Sequence, residues 1–419
     1  MSEFAIHDGV LHVEEIPLTE LATRFGTPCY VYSRAAIVRQ WEAFQAHMPA
    51  PHKVCYAVKA NSNLAVLQVL AELGAGFDVV SGGEIARVLR AGGLAKNIVF
   101  SGVGKSDAEI RYALEQNIGQ FNVESDAELD RIAAIAADLQ CTARISFRVN
   151  PDVDAKTHPY IATGLEANKF GIPMQDALAT YRRAARLPSV EIVGADCHIG
   201  SQLTETQPFL DALDRMLVLV DALAAEGISL KHLDMGGGLG VTYADETPPP
   251  IGHYLQAMHA RLVDYPDLAL YLEPGRAIVA NAGVLLTRVE YLKANRSKHF
   301  VMVDAGMNDL LRPSLYQAHH DIVNVVASNA PEVTGDIVGP VCETGDFLGQ
   351  NRTLRVAAGD LLAVKSAGAY GFAMSSNYNS RPRPPEVMVA GEQAYLIRAR
   401  ETLDDVWRGE TLIPISDTQ

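Results

Sequence analysis

The sequence is poor in several features that would each mark a class of protein. Five cysteines (Cys29, Cys55, Cys141, Cys197 and Cys342) are scattered through 419 residues. None stands in a CxxC pair or in Cys/His zinc spacing, so reduced thiols are expected, with neither a disulfide framework nor a metal. No apolar run is long enough to span a bilayer. The start, Met1-Ser2-Glu3-Phe4, is acidic and has no charged-then-apolar signal pattern, so a cytoplasmic location is expected. Basic residues are in deficit: 35 Lys and Arg against 50 Asp and Glu give a formal net charge of −15. Such a balance repels nucleic acid and anionic membrane surfaces, and neither is expected as a partner. A small anionic ligand stays compatible, because one site can be basic within an acidic protein. Low-complexity tracts and linkers are absent too.

What is present suits a two-domain protein with a large core, since 48% of the residues are hydrophobic and 20% charged. A unit recurs along the first two thirds: a short apolar run, a turn, then a helical pattern. Candidate strands end near Lys59, Ser81, Gly102, Glu124, Asn150, His198, Gly236 and Glu273. Ser81-Gly82-Gly83-Glu84, Ser106-Asp107-Ala108-Glu109 and Ser125-Asp126-Ala127-Glu128 fit the S-x-x-E capping box that starts a helix. Eight such units predict a (β/α)8 TIM-type barrel over residues 25–275. Beyond Glu273 strand signals dominate, among them Val284–Val289, Phe300–Val303, Leu361–Val364 and a hairpin through Val387–Val389 and Tyr395–Ile397. The opening Phe4–Val13 also reads as a hairpin. Residues 1–24 plus 276–419 are therefore expected to form a second, mainly β-strand domain of sandwich or barrel type.

Function in such a barrel collects at the C-terminal strand ends. Lys59 closes Tyr56-Ala57-Val58-Lys59-Ala60-Asn61; burial there would lower the amine's pKa and prepare it to attack a carbonyl, although a snorkelling lysine is the commoner case. Gly236-Gly237-Gly238-Leu239-Gly240 follows the seventh strand, where barrels often bind phosphate; the plain alternative is a flexible turn. Glu273-Pro274-Gly275-Arg276 follows the eighth, and its carboxylate suits a pyridinium nitrogen as well as it suits a structural pair with Arg276. His198-Ile199-Gly200-Ser201-Gln202 ends the sixth strand with a ring that can stack and a hydroxyl that can donate to phosphate. Cys342-Glu343-Thr344-Gly345-Asp346 offers a thiol that can donate a proton, or merely a structural one. Asn150 to Gly171 carries little regular pattern and is expected to be a mobile loop over the site.

Together these runs, with Asp304 to Tyr316 and Gly368-Ala369-Tyr370-Gly371, resemble the alanine-racemase-like group of pyridoxal-phosphate enzymes (fold type III), and within it the diaminopimelate decarboxylases. Seven motifs stand in order over nearly the whole chain; Thr344 replaces a serine common in that family. The resemblance implies pyridoxal 5'-phosphate as cofactor and conversion of meso-diaminopimelate to L-lysine and CO2. It implies that Lys59 anchors the cofactor as a Schiff base, that Glu273 meets the pyridine nitrogen and that His198 stacks on the ring. Ser201 with Gly236, Gly237 and Gly238 would hold the phosphate, and Asp78, Glu84, Gly275, Arg276 and Tyr370 would lie near the cofactor. Arg276, Arg312, Tyr316, Glu343 and Tyr370 would bind the substrate, and Cys342 would protonate the carbanion. A head-to-tail homodimer would bring Cys342 and Glu343 from the neighbouring subunit. Rival readings are a same-fold decarboxylase of ornithine, arginine, D-lysine or a carboxylated polyamine, an amino-acid racemase, and a non-catalytic pyridoxal-phosphate protein.

Overall fold

The structure is a computed structural model that describes residues 3–153, 169–296 and 298–413. Residues 154–168, most of the expected mobile loop, lie outside the described residues. The chain divides into two compact units, one of Met1–Glu3, Ser33–Gly283 and Ser366–Ala373, the other of Phe4–Tyr32, Val284–Lys365 and Met374–Gln419.

In the first unit all eight expected strands are present: Lys53–Ala57, Gly76–Val79, Ile98–Phe100, Gln120–Val123, Ala143–Asn150, Val190–Asp196, His232–Asp234 and Ala269–Leu272. Every neighbouring pair is parallel. The last strand pairs with the first through Tyr271–Lys53 and Leu272–Val54, which closes the barrel. Burial on both faces explains why these strands read as unbroken apolar runs. Phe77, Phe100, Phe121 and Phe147 are fully buried within it.

The helix starts are more varied than the capping-box reading. All three serines accept the backbone N–H of the predicted glutamate. Only Ser106–Glu109 completes the reciprocal box. Glu84 instead accepts the Val80 N–H at 2.7 Å, and Glu128 is drawn to the buried Lys105 ammonium at 2.6 Å. At Glu128 a nearby cation outcompetes the return bond to the cap, and at Glu84 the neighbouring Val80 amide does.

The second unit is built on a seven-strand path. Its order is Phe347–Arg355, Glu332–Val338, His299–Val303, Gly283–Ala294, Cys29–Ser33, Glu386–Ala390 and Gln393–Arg398. Leu361–Val364 joins Gly283–Ala294 to Ile322–Asn324. The hairpin of Phe4–His7 and Val10–Val13 sends Leu11 and Val13 into one core with Leu286, Ala363, Val387 and Val389.

Candidate active site

Strand register places a row of polar groups at the C-terminal end of the barrel. Ala57 stands opposite Asp78, Arg148 opposite Asp196, and Asp196 opposite Asp234. Lys59 lies just past the first strand, in a 3-10 turn over Val58–Ala60, and its Nζ donates to Asp78 Oδ2 at 2.7 Å. Burial was expected to lower this amine. Burial does oppose its charge, but the carboxylates of Asp78 and Glu273 outweigh it, so the amine stands above the ordinary lysine range. Its side chain is still 38% exposed, open enough to meet a small carbonyl compound.

The neighbours of Lys59 are buried acids. Glu84, beside the Val80 amide, is pushed up to about 7, mainly by burial. Asp196, Asp234 and Glu273 each offer one oxygen, and these three oxygens lie within 4.8 Å of one another. Burial holds all three above the usual carboxylate range, helped by the Asp234 charge at Asp196 and Glu273 and by the Asp78 charge at Asp234. Arg148 Nη1 donates to Glu124 Oε1 at 3.2 Å. Burial, with Arg148 and Lys59 nearby, drives His198 well below the ordinary histidine range, so its ring is neutral. Nδ1 of that ring accepts the Gly237 N–H at 3.2 Å, which fixes the ring and leaves the proton on Nε2.

The glycine run contributes more by shape than by donors. Gly236 has φ +65° and Gly238 +114°, conformations that suit glycine. A Cβ at Gly236 would stand 2.7 Å from both Cys197 O and His198 Nδ1, and one at Gly238 2.5 Å from Gly200 O. The Gly236 N–H is spent on Asp234 Oδ1 at 2.9 Å and the Gly237 N–H on His198. Of the three, Gly238 alone has an N–H without a protein acceptor among the described residues. Ser201 Oγ accepts from Arg276 Nη2 at 3.0 Å, which leaves its hydroxyl proton to donate. Arg276, 6% exposed, also donates to the Tyr243 hydroxyl at 2.6 Å and lies 4.9 Å from the Tyr370 ring centre. Tyr370 adopts φ +56°, rare for a bulky residue, and its N–H is tied to Ala60 O at 2.8 Å. Gly275 packs closely on Ala57 and Ala60, where a Cβ would come within 2.9 Å of the Ala60 Cβ.

Four predicted residues belong to the second unit. Arg312 begins the short helix Arg312–Tyr316, is buried, and meets His320 Nε2 at 2.8 Å. Cys342 is exposed, with its N–H donating to Asn379 Oδ1 at 2.8 Å. The Glu343 carboxylate accepts the Tyr378 hydroxyl. Asp346 joins the two runs by accepting the Met307 and Val341 N–H groups, both at 2.6 Å, while Ser314 Oγ donates to Gly345 O at 2.6 Å. Missed in the sequence were Arg148, Asp196, Asp234, Tyr243 and Tyr378.

A lysine amine, a neutral histidine ring, a glycine turn with one spare N–H, and a buried carboxyl fit pyridoxal phosphate. Glu273 supplies the decisive observation: it is 6% exposed and its Oε1 receives no hydrogen-bond donor among the described residues, so a ring nitrogen is a natural counterpart. Known proteins agree. Residues 34–280 match the family described as pyridoxal-dependent decarboxylase, pyridoxal binding domain. Diaminopimelate decarboxylase of Pseudomonas aeruginosa is 58% identical, covering 99% of this chain and all of that one. The Vibrio cholerae protein is 57% identical over 97% of this chain and 98% of its own. The crystal structure of diaminopimelate decarboxylase from M. jannaschii in complex with L-lysine superposes with a TM-score of 0.94 at 39% identity, covering 99% of both chains. The chain belongs to the pyridoxal-dependent decarboxylases, and within them to the diaminopimelate decarboxylases.

Proposed function

We infer that this chain removes the carboxylate from one end of meso-diaminopimelate, giving L-lysine and CO2. The observation that carries this reading is the barrel-mouth set of Lys59, Asp78, His198, Gly238 and Glu273, in a chain whose relatives of near-full coverage bear that activity in their names.

Pyridoxal phosphate, when bound, supplies an electron-accepting ring that takes up the electron pair left as CO2 departs. Lys59 holds the cofactor through its amine, and Asp78 orients that amine. Glu273 faces the ring nitrogen and keeps it protonated. His198, a neutral imidazole, would stack on the ring and add no charge to oppose the pyridinium. Ser201 and the Gly238 N–H hold the phosphate, with Gly236 and Gly237 shaping the turn and Arg276 fixing Ser201. Tyr370 and Arg276 bound the space in front of the ring. At the far end of the substrate, Arg312 and Tyr316 take the carboxylate, since a guanidinium can grip it with two parallel hydrogen bonds. Glu343 takes the far ammonium, and Cys342 returns a proton to the α-carbon. In the working protein, a cytoplasmic homodimer, Cys342 and Glu343 come from the neighbouring subunit.

The test is to incubate the purified protein with pyridoxal phosphate and meso-diaminopimelate and to follow lysine and CO2, with Lys59→Ala as control. Lysine from the wild type alone supports the reaction and the anchor. Cofactor absorbance without lysine keeps the cofactor and removes the substrate.

A further inference from the structure

Beneath the proposed ring position lies a group whose charges do not balance. Two cations reach it: Lys59 pairs with Asp78 at 2.7 Å, and Arg148 gives Nη1 to Glu124 at 3.2 Å and keeps a buried Nη2 without an acceptor among the described residues, so two positive charges stand against five carboxylates. Asp196, Asp234 and Glu273 form no ion pair among the described residues, and all are at most 6% exposed. One donor serves the three, the Gly236 N–H on Asp234 Oδ1. Asp196 Oδ1, Asp234 Oδ2 and Glu273 Oε1 receive no donor among the described residues, while the Asp234 and Glu273 carboxyls lie close enough to share a hydrogen bond. Three carboxylates this close, in a desolvated interior, cannot all stay ionised; protons shared among them resolve both the repulsion and the orphaned acceptors.

We propose that Asp234 carries the group's negative charge while Glu273 carries a proton in the cofactor-free protein, and that Glu273 passes this proton to the ring nitrogen as the cofactor docks. The Glu273 O–H bond breaks, the ring N–H bond forms, and the electron pair stays on the Glu273 carboxylate, so the ring becomes cationic without taking a proton from solvent. Asp234 is the ionised member because it alone receives a backbone N–H. Asp196, next to it in register, is a second acid that supports the charge on Asp234. Both are positioning residues that act through Glu273. The direction of each acid's shift agrees, with Asp234 at about 7 and the other two well above the carboxylate range. Lys59, Asp78, Glu124 and Arg148 face the cluster as well, with Tyr181 beside Asp196 and Tyr254 and Tyr271 beside Asp234. The thiols of Cys55 and Cys197 also lie near it and are kept neutral by burial.

This inference rests on the assignment of Glu273 to the ring nitrogen, so its test begins without the cofactor. Infrared spectra of the cofactor-free full chain at pH 7 should show the carbonyl stretch of a protonated carboxyl that Glu273→Gln removes. Adding pyridoxal phosphate should bleach that band. Asp234→Asn keeps an acceptor for the Gly236 N–H but removes the charge, so Glu273 should ionise about one pH unit lower or more. Asp234→Ser, which also removes the charge and can still accept the Gly236 N–H, serves as a second variant should Asp234→Asn fail to fold. A wild-type band that Glu273→Gln leaves intact, or a midpoint that neither Asp variant moves, would overturn the proposal. Separately, a loaded Glu273→Gln protein with wild-type absorbance and turnover would remove Glu273 from the ring nitrogen while leaving the proton measurement standing.

Discussion

Gly237→Ala isolates the shape of the phosphate turn from its hydrogen bonds. An added Cβ would stand 2.3 Å from Glu273 O and 3.1 Å from Glu273 C, both backbone atoms. Comfortable carbon contacts lie near 3.5–4.0 Å, so the chains must separate by about 1 Å. Separation is resisted, because the Glu273 N–H is bonded to Gly236 O at 2.8 Å in the same turn. Overpacking of this kind costs about 1–3 kcal/mol. If that strain falls on the bound state, the affinity for pyridoxal phosphate should drop roughly 5- to 150-fold. If it falls on the fold, the cofactor-free melting temperature should drop instead. Absorbance titration with the cofactor and thermal melts of the cofactor-free protein read the two shares. Gly83→Ala is the control: its Cβ would meet nothing nearer than Ser81 Oγ at 3.8 Å, within a helix, so it should keep the affinity and add about 0.5–1 kcal/mol of stability. A Gly237→Ala protein that melts and binds cofactor like the wild type would refute the steric argument.

Other residues give sharper signatures in pH, substrate or assembly. Glu84 is raised by burial to about 7; a carboxyl with a raised folded pKa is an acid the fold prefers protonated, so stability is lost as pH climbs from about 4.3 to 7. Cofactor-free Glu84→Gln should therefore melt with the wild type near pH 4 and above it at pH 8, by at most about 3 kcal/mol; equal melts at both pH values would remove the effect. Arg312→Ala should lower kcat/KM for meso-diaminopimelate by at least roughly 10- to 150-fold, the worth of about 1.5–3 kcal/mol in a charged hydrogen bond, with cofactor affinity unchanged. Unchanged turnover would take Arg312 out of substrate binding. Lys59→Ala and Cys342→Ala, each inactive alone, should regain turnover when mixed and allowed to exchange subunits; a mixture as inactive as its parents would place both residues in the same subunit's site.

The barrel was legible because its strands are buried on both faces and three of its helices start at serines with a glutamate three residues on. Ile98-Val99-Phe100 can hardly be read otherwise, and Ser81, Ser106 and Ser125 all cap as their spacing suggests. In the second unit, Glu332–Val338 and Phe347–Arg355 escaped notice, since neither keeps a regular alternation of apolar and polar residues and each carries a glycine. Tertiary pairing, with Thr334 opposite Thr353 and Gly335 opposite Arg352, forms these strands where local propensity is weak.

The site divides along a similar line. Lys59, His198, the glycine run and Glu273 were found because they follow strands, where polar residues draw notice. Asp196 and Asp234 were passed over because they end strands that otherwise read as core, each as the last residue of an apolar run. Yet Asp196 stands two residues before His198 and Asp234 two before Gly236, the spacing of one strand face. An acid that breaks an apolar run in step with a site residue conflicts with local pattern, and such conflicts collect where function outweighs stability. Applied to the fifth strand, the same parity picks out Arg148 from the run Ile145-Ser146-Phe147-Arg148-Val149, in register with Asp196. The polar interior of the barrel was thus present in the spacing, as a pattern across strands rather than within any one of them.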